Sequence, residues 1–270
     1  MPWSFWVTVA FIFGAIIGSF LNVYIYRFHT GKSLNGSSHC LSCAKQLRWY
    51  ELIPIVSYLS LRGRCSSCGS YVPVRYAVVE ALTASLFVCS LYVATSPLMF
   101  FWLTTLCAVL VVIVVYDYYH FIIPDELTVA ISVLVGIWLV WEWWQGVLSA
   151  ELLFVTVGAS LLGSAFFYAL WFISRGAWLG FGDVKLAFPL GLWVGPMAVF
   201  SFVVVSFWIG AAISICVLLW QKYERGKRRL HLSQETLTMK SAVPFAPFMI
   251  AGAALVYFTH FDALSLFSFV

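Results

Sequence analysis

Apolar runs about as long as a bilayer is thick recur along this chain, and no other feature constrains its fold so strongly. They fall at about 5–26, 76–94, 98–116, 126–143, 151–173, 184–195, 197–220 and 243–260. A helix needs roughly 20 apolar residues to cross a membrane. In lipid every backbone N–H and C=O must be paired internally, which leaves helices or closed barrels. Barrel strands alternate in hydrophobicity over about ten residues. The runs here are continuous, so they read as helices. The chain is 63% hydrophobic and 10% charged, whereas a soluble domain is about half apolar and a quarter charged. The sixth run is short. Joined to the seventh it would reach from Val184 to Trp220, more than ~50 Å of helix at ~1.5 Å per residue, against a core of ~30 Å. Gly195-Pro196 is the expected break. The predicted fold is an all-α polytopic membrane protein of about eight transmembrane helices. It divides into a first helix (1–27), a loop domain (28–75) and a helical core (76–270).

The basic residues then orient it. Arg27, Lys32, Lys45, Arg48, Arg62, Arg64 and Arg75 lie between the first two runs, and Arg175 and Lys185 flank the loop before the sixth. Lys222, Arg225, Lys227, Arg228, Arg229 and Lys240 lie between the last two. With eight spans all 15 Lys and Arg face one side, which the positive-inside rule makes cytoplasmic. Both termini then lie outside. The net charge of +4 reflects this topology and does not point to nucleic acid. No basic residue precedes the first run, so it reads as an uncleaved span rather than a secretory signal. Trp138, Trp141, Trp143 and Trp144 form an aromatic belt at the outer boundary.

Within the first run, Gly14 and Gly18 are spaced for close helix packing. Asn22, further along it, needs a hydrogen-bond partner in the bundle. Glu80, one turn into the second run, should pair with a cation or with polar groups of the bundle. Cys89, Cys107 and Cys216 are solitary and read as core residues.

The 28–75 loop carries Cys40-x-x-Cys43 and Cys65-x-x-Cys68, with 21 residues between the pairs. Four thiolates in two such pairs have the spacing of a tetrahedral zinc site. Two disulfides are the alternative. A cytoplasmic loop sits in a reducing compartment, which favours zinc. Trp49, Pro54, Ser57 and Tyr58 suggest a short amphipathic segment at the membrane surface.

Two acids lie in apolar surroundings. Asp117 closes the run Val109 to Tyr116, and Asp183 ends Gly180-Phe181-Gly182-Asp183 at the lip of the sixth run. A charge at mid-bilayer costs at least about 2.5–3.5 kcal/mol, so such residues are functional candidates. Two aspartates held together in a dry site share a proton, the arrangement of an aspartyl protease. Taken alone, Asp117 reads equally well as an interfacial residue without a role. Gly180 and Gly182 would permit positive φ and a close backbone approach. Pro124 places a turn or unwound piece after Asp117, and Asp125 should cap the next helix. Lys185 would snorkel to headgroups or bias the carboxylate pair. The 221–242 stretch reads as a basic surface loop near anionic lipid.

With these residues in view the chain resembles the type IV prepilin peptidase family, in its bifunctional leader peptidase and N-methyltransferase form. The resemblance spans nearly the whole chain. It rests on Gly18-Ser-Phe-Leu-Asn22-Val-Tyr-Ile-Tyr-Arg27, the four cysteines, Arg75-Tyr76 with Glu80, Asp117 with Pro124-Asp125, Gly180-Phe-Gly-Asp183-Val-Lys185, and Pro244-Phe-Ala-Pro-Phe248. It implies that Asp117 and Asp183 are catalytic. It also implies cleavage of a basic leader from prepilins or pseudopilins at the cytoplasmic face of a bacterial inner membrane. The new N-terminus would then be methylated from S-adenosylmethionine, with the cysteine loop and its zinc, on Cys40, Cys43, Cys65 and Cys68, tied to that second step. Ala246 departs from the glycine common in the family. A peptidase without the second activity, a general intramembrane aspartyl protease, and a zinc-regulated transporter or sensor are the other readings. The intramembrane protease needs no four-cysteine loop. A transporter would carry polar residues deep in several spans, and here they are sparse. No glycine-rich loop follows a strand, so a dinucleotide-type cofactor site is not expected.

Overall fold

The structure is a computed structural model that describes residues 2–28, 36, 38–227, 244–263 and 265. Lys32, Arg228, Arg229 and Lys240, used above for orientation, lie outside the described residues. Each of the eight apolar runs forms one helix. They are α1 (Trp3–Arg27), α3 (Arg75–Val93), α4 (Pro97–His120), α5 (Asp125–Trp144), α6 (Ala150–Ser174), α7 (Phe181–Val194), α8 (Val199–Lys227) and α9 (Ala246–Thr259). A short α2 (Val56–Ser60) lies in the loop domain. Among the described residues there is no strand, only two isolated bridges, His39 with Gln46 and Arg64 with Tyr71. Among the described residues, six helices are long and apolar enough to cross a membrane. The remaining two, α7 and α9, have 14 residues each, shorter than the roughly 20 a crossing needs, and the six long helices make this a multi-pass membrane protein.

The chain forms two compact units, Met1–Val112 and Ile113–Val270. In the first, α1 packs along α3. A Cβ on Gly14 would fall 2.7 Å from the Ala84 Cα, and one on Gly18 2.8 Å from the Glu80 Cα. Glycine is therefore what lets these backbones touch, as small residues do in membrane helix pairs. Asn22 finds its partner across the same seam, where its Nδ2 donates to the Tyr76 carbonyl over 3.0 Å.

The second unit is built around α7, which packs against α5, α6 and α9. Its core includes the fully buried Phe167, Leu186, Leu190, Phe202 and Met249. A 14-residue helix with Pro189 inside it is held by this surrounding layer rather than by its own ladder. The break after it falls at Gly195-Pro196 as expected. Gly195 sits at φ 85° and the chain makes a single 3-10 turn, Pro196–Ala198, before α8 begins. Only a glycine takes that φ without strain.

Candidate functional site

Asp117 lies one turn inside α4, not at its end. The helix continues to His120, and the Phe121 N–H closes it on the Asp117 carbonyl over 2.8 Å. Three aromatic or imidazole residues, Tyr118, Tyr119 and His120, carry the last turn. Phe121 then takes φ 55°, and the extended Pro124 starts α5 as its N-cap. The expected non-helical piece is thus residues 121–124.

Asp183 is the third residue of α7. Its Oδ2 accepts the Gly180 N–H over 3.0 Å, the back-reach of an N-terminal acid to an otherwise unpaired donor. Gly180 is extended, at φ −74°, and neither it nor Gly182 uses positive φ. That expectation was wrong for both glycines. Close approach does hold at Gly182, whose Cβ would fall 3.1 Å from the Ile123 Cβ. This contact sets the 180–183 turn directly against the segment that follows Asp117.

Both carboxylates are buried, Asp117 at 5% exposure and Asp183 at 6%, and Asp117 lies close enough for its charge to act on Asp183. The backbone N–H of Ala246, the first residue of α9, donates to the Asp117 carboxylate. Asp117 Oδ2 has no hydrogen-bond partner among the described residues. A buried polar atom left unpaired costs about 1–3 kcal/mol, which marks Oδ2 as a place for a water or a reacting carbonyl. Ala246 is fully buried outside the left-handed region, so alanine serves where the family commonly has glycine.

Asp125 and Lys185 depart from expectation. Pro124 is the N-cap, and Asp125 is the first residue of α5. The Asp125 carboxylate instead pairs with the Lys185 ammonium, 60 positions away in sequence. Lys185 also lies 5.4 Å from the centre of the Phe181 ring. The pair ties α5 to α7 beside the two aspartates. Its carboxylate side is 70% exposed, so it contributes about 0–1 kcal/mol and acts mainly on geometry.

The four cysteines of the first unit come together. Their sulfurs all lie within 4.8 Å of one another, and Cys40 Sγ is 3.8 Å from Cys68 Sγ. Tetrahedral zinc at ~2.3 Å from each sulfur needs sulfurs about 3.8 Å apart, so this set fits the ion. All four thiols are free of disulfides. The two pairs form a repeat that the sequence reading missed. Cys40 N–H donates to the Lys45 carbonyl, and Ala44 N–H to the Cys40 carbonyl, both over 2.9 Å. Cys65 and Gly69 do the same with Ser70 and Cys65, over 2.9 and 3.0 Å. Ala44 and Gly69 occupy the same left-handed position, φ 56° and 68°. The Ser70 hydroxyl, then the N–H groups of Cys43 and Ser42, hold the Cys40 thiol well down, at about 5. The Ser70 hydroxyl and backbone N–H also lower Cys68. Cys43 goes the other way: the Lys45 N–H lowers it, but the Cys68 thiol, burial and the other thiols outweigh that and raise it to about 11, so it is Cys40 and Cys68 that favour the thiolate a metal takes.

Glu51 was also missed. It is buried, accepts the Arg48 N–H over 2.7 Å and pairs with Lys45 at 3.2 Å. The Ser66 hydroxyl donates to it as well, so one carboxylate joins both knuckles. The Arg48 N–H first, with Ser66 and Lys45, holds its carboxyl down at about 2. Glu80 behaves as a structural acid with polar partners. Its Oε2 accepts the Ile55 N–H over 2.7 Å, and Ser19 also bonds to it. Ile55 needs that support. It sits at φ 63°, ψ −51° inside a γ-turn closed by Val56 N–H on the Pro54 carbonyl at 2.6 Å. That is a strained state for a β-branched residue.

Fold and site together define a class: a polytopic helical membrane protein with a buried aspartate pair and a paired-cysteine knuckle. Residues 12–94 match the Bacterial Peptidase A24 N-terminal domain, and residues 104–215 match the Type IV leader peptidase family. Three relatives carry the name Prepilin leader peptidase/N-methyltransferase. That of Dichelobacter nodosus is 30% identical over 70% of this chain and 77% of its own length. That of Myxococcus xanthus is 33% identical over 77% of this chain and 62% of its own. That of Burkholderia pseudomallei strain 1026b is 28% identical over 96% and 87%. The chain belongs to the type IV prepilin peptidase family. No solved structure matches it.

Proposed function

We infer that this chain is a membrane aspartyl endopeptidase that removes the basic leader from type IV prepilins or pseudopilins, and then N-methylates the new N-terminus. The observation that carries it is the buried pair Asp117 and Asp183, with one Asp117 oxygen lacking a protein partner among the described residues. One aspartate, ionised, takes a proton from a water; the other, protonated, polarises the scissile carbonyl. The pair titrates as a unit, so no individual role attaches to either residue. Gly180, Gly182, Pro124, Asp125 and Lys185 position it through the contacts described above.

Cys40, Cys43, Cys65 and Cys68 hold a structural zinc. Closing two knuckles on one ion supplies folding free energy to a loop with little apolar core of its own. S-adenosylmethionine is the methyl donor. The distribution of Lys and Arg supports a bacterial inner-membrane location with the site open to the cytoplasm, where the basic leader stays. The substrate's apolar segment lies among the spans, in contact with membrane lipid. Incubating purified protein with a prepilin and S-adenosylmethionine, and weighing the product, tests this. Leader loss with one methyl gained is the expected result. Leader loss alone would reduce the reading to a peptidase, and an unprocessed prepilin would remove it.

A further inference from the structure

The lip of the aspartate site carries an ion pair that the aspartyl chemistry does not use. Lys185, two residues after Asp183, reaches across to Asp125, two residues after the buried Ile123 that packs on Gly182. The ion pair and that steric contact therefore lie on one seam, between the start of α5 and the start of α7. Lys185 engages only Oδ1 of Asp125, and the other carboxylate oxygen has no partner among the described residues. Asp125 is the more exposed member of the pair.

We propose that Asp125 is a specificity residue of the peptidase, and that its carboxylate receives a cationic side chain of the leader. The proposal rests on the leader-peptidase reading above and deepens it. Three observations support it. The first is charge. With eight spans all 15 Lys and Arg share the cytoplasmic side, so a basic leader meets repulsion over most of that face. Of the acids whose side chains are described there, Glu51, Glu80, Asp117 and Asp183 are buried, whereas Asp125 and Glu126 are exposed. The exposed negative charge stands beside the catalytic pair, where it can both steer a cation and fix its register.

The second is reach. Asp117 Oδ2, buried and without a partner among the described residues, marks where the reacting carbonyl or its water sits. A helix with its side chains is ~10–12 Å across, and an extended peptide advances ~3.3 Å per residue. A chain held at the aspartates therefore brings a side chain three or four residues away over the α5–α7 seam. The third is form. The Asp125 carboxylate is anchored on one oxygen and open on the other. Its anchor has a second favourable seat, because the Lys185 ammonium lies 5.4 Å from the centre of the Phe181 ring. Lys185 can thus share Asp125 with an incoming cation instead of competing for it. A carboxylate already held in one orientation also loses less freedom on binding. A purely structural Asp125, serving the α5 N-terminus and the tie to α7, would act on every substrate alike.

The test uses the purified full chain and two prepilins that differ only in the leader, one with its Lys and Arg residues and one with Gln in their place. The wild type should favour the basic leader, mainly through KM, and added salt should narrow the preference. Asp125→Asn should cut the ratio of kcat/KM between the two leaders by about fivefold, the scale of one exposed charge pair. Asp125→Glu should restore most of it. Asp125 also ties α5 to α7, so Asp125→Asn should slow both substrates, and the ratio cancels that loss. A ratio unchanged in Asp125→Asn, or falling only in Glu126→Gln, overturns the assignment. Should Asp125→Asn cleave neither prepilin, carbodiimide coupling of a basic leader peptide to the wild type decides. An amide between a leader Lys and Asp125 supports the assignment, and its absence at Asp125 overturns it. A wild type that cleaves neither prepilin overturns the peptidase reading and the assignment together. One that cleaves both equally well overturns the assignment alone.

Discussion

Gly182 meets Ile123 with room for a hydrogen and little more: a Cβ on the glycine would lie 3.1 Å from the isoleucine Cβ. Ile123 is itself buried, and it follows Asp117 by six positions, while Gly182 precedes Asp183 by one. The contact is therefore a steric register between the two aspartate-bearing segments. An alanine at 182 needs its neighbour to yield by a few tenths of an ångström. A valine needs far more, and overpacking of this kind costs about 1–3 kcal/mol. A shift of ~1 Å at a catalytic pair can cost about a hundredfold in rate. We predict a graded loss of prepilin cleavage, within about tenfold for Gly182→Ala and about a hundredfold for Gly182→Val. Cleavage by Gly182→Val at the wild-type rate would show that the register does not matter.

The spans were legible because each is a continuous apolar run, and lipid allows such a run only one backbone solution. Asp117 and Asp183 were legible for the opposite reason, as charges where charge is expensive. What escaped the sequence depends on contacts between distant segments. Nothing local says that Asp125 turns from its own helix to Lys185, or that the Ala246 N–H reaches Asp117. The last turn of α4 was missed because Tyr118 to His120 break the apolar run without breaking the helix. Glu51 looked like an ordinary charge in a polar loop, although its place three residues after Arg48, with Ser66 in the second knuckle, is what buries it. The knuckle repeat was available in principle: Cys-x-x-Cys followed by a small residue occurs twice.

That repeat leads to a prediction in opposite directions. Ala44 and Gly69 hold the same left-handed position, at φ 56° and 68°. The left-handed state costs a residue with a Cβ about 1–2 kcal/mol, and glycine almost nothing. A Cβ on Gly69 meets nothing within 4 Å, so backbone strain alone is at issue. Gly69→Ala should weaken zinc retention about fivefold, and Ala44→Gly should strengthen it about fivefold, each factor being ~1 kcal/mol. Competition with a chelator on the full chain reads both. Changes of the same sign would mean that the two knuckles are not equivalent.

Glu51 should make the loop sensitive to acid. Its ordinary value is 4.5 and its folded value about 2. The folded form thus binds its proton less readily than the unfolded form. The stability it contributes is complete above about pH 4.5 and is lost as pH falls from there towards 2. Hydrogen exchange at the Arg48 amide, which donates to Glu51 over 2.7 Å, should report it. Wild-type protection should exceed that of Glu51→Gln at neutral pH, and the difference should shrink through that window. The variant retains all four cysteines, so acid loss of metal affects both proteins alike. A difference that stays constant from neutral pH to pH 3 would rule out Glu51 as the acid-sensitive joint.

The two chemistries should come apart under mutation. Asn is nearly isosteric with Asp and can still accept the hydrogen bonds that Gly180 and Ala246 donate, so Asp117→Asn and Asp183→Asn should keep the fold. Neither amide can act as the ionised base or share a proton with its partner. Each variant should lose cleavage by several orders of magnitude, and the double variant by little more, because members of one catalytic unit are not additive. Methyl transfer needs no carboxylate pair. It needs a free amine placed beside the methyl donor. Replacing Cys65 and Cys68 by Ser removes half of the proposed zinc ligands and should loosen the loop that the family resemblance ties to this step, so methylation should fall far more than cleavage does. Supplying both sets of variants with an already cleaved pilin and S-adenosylmethionine isolates the second step. The aspartate variants should methylate it and the cysteine variants should fail. Full proteolysis by Asp183→Asn would end the aspartyl mechanism. Equal loss of both activities in every variant would mean that the knuckles and the aspartates serve a single site.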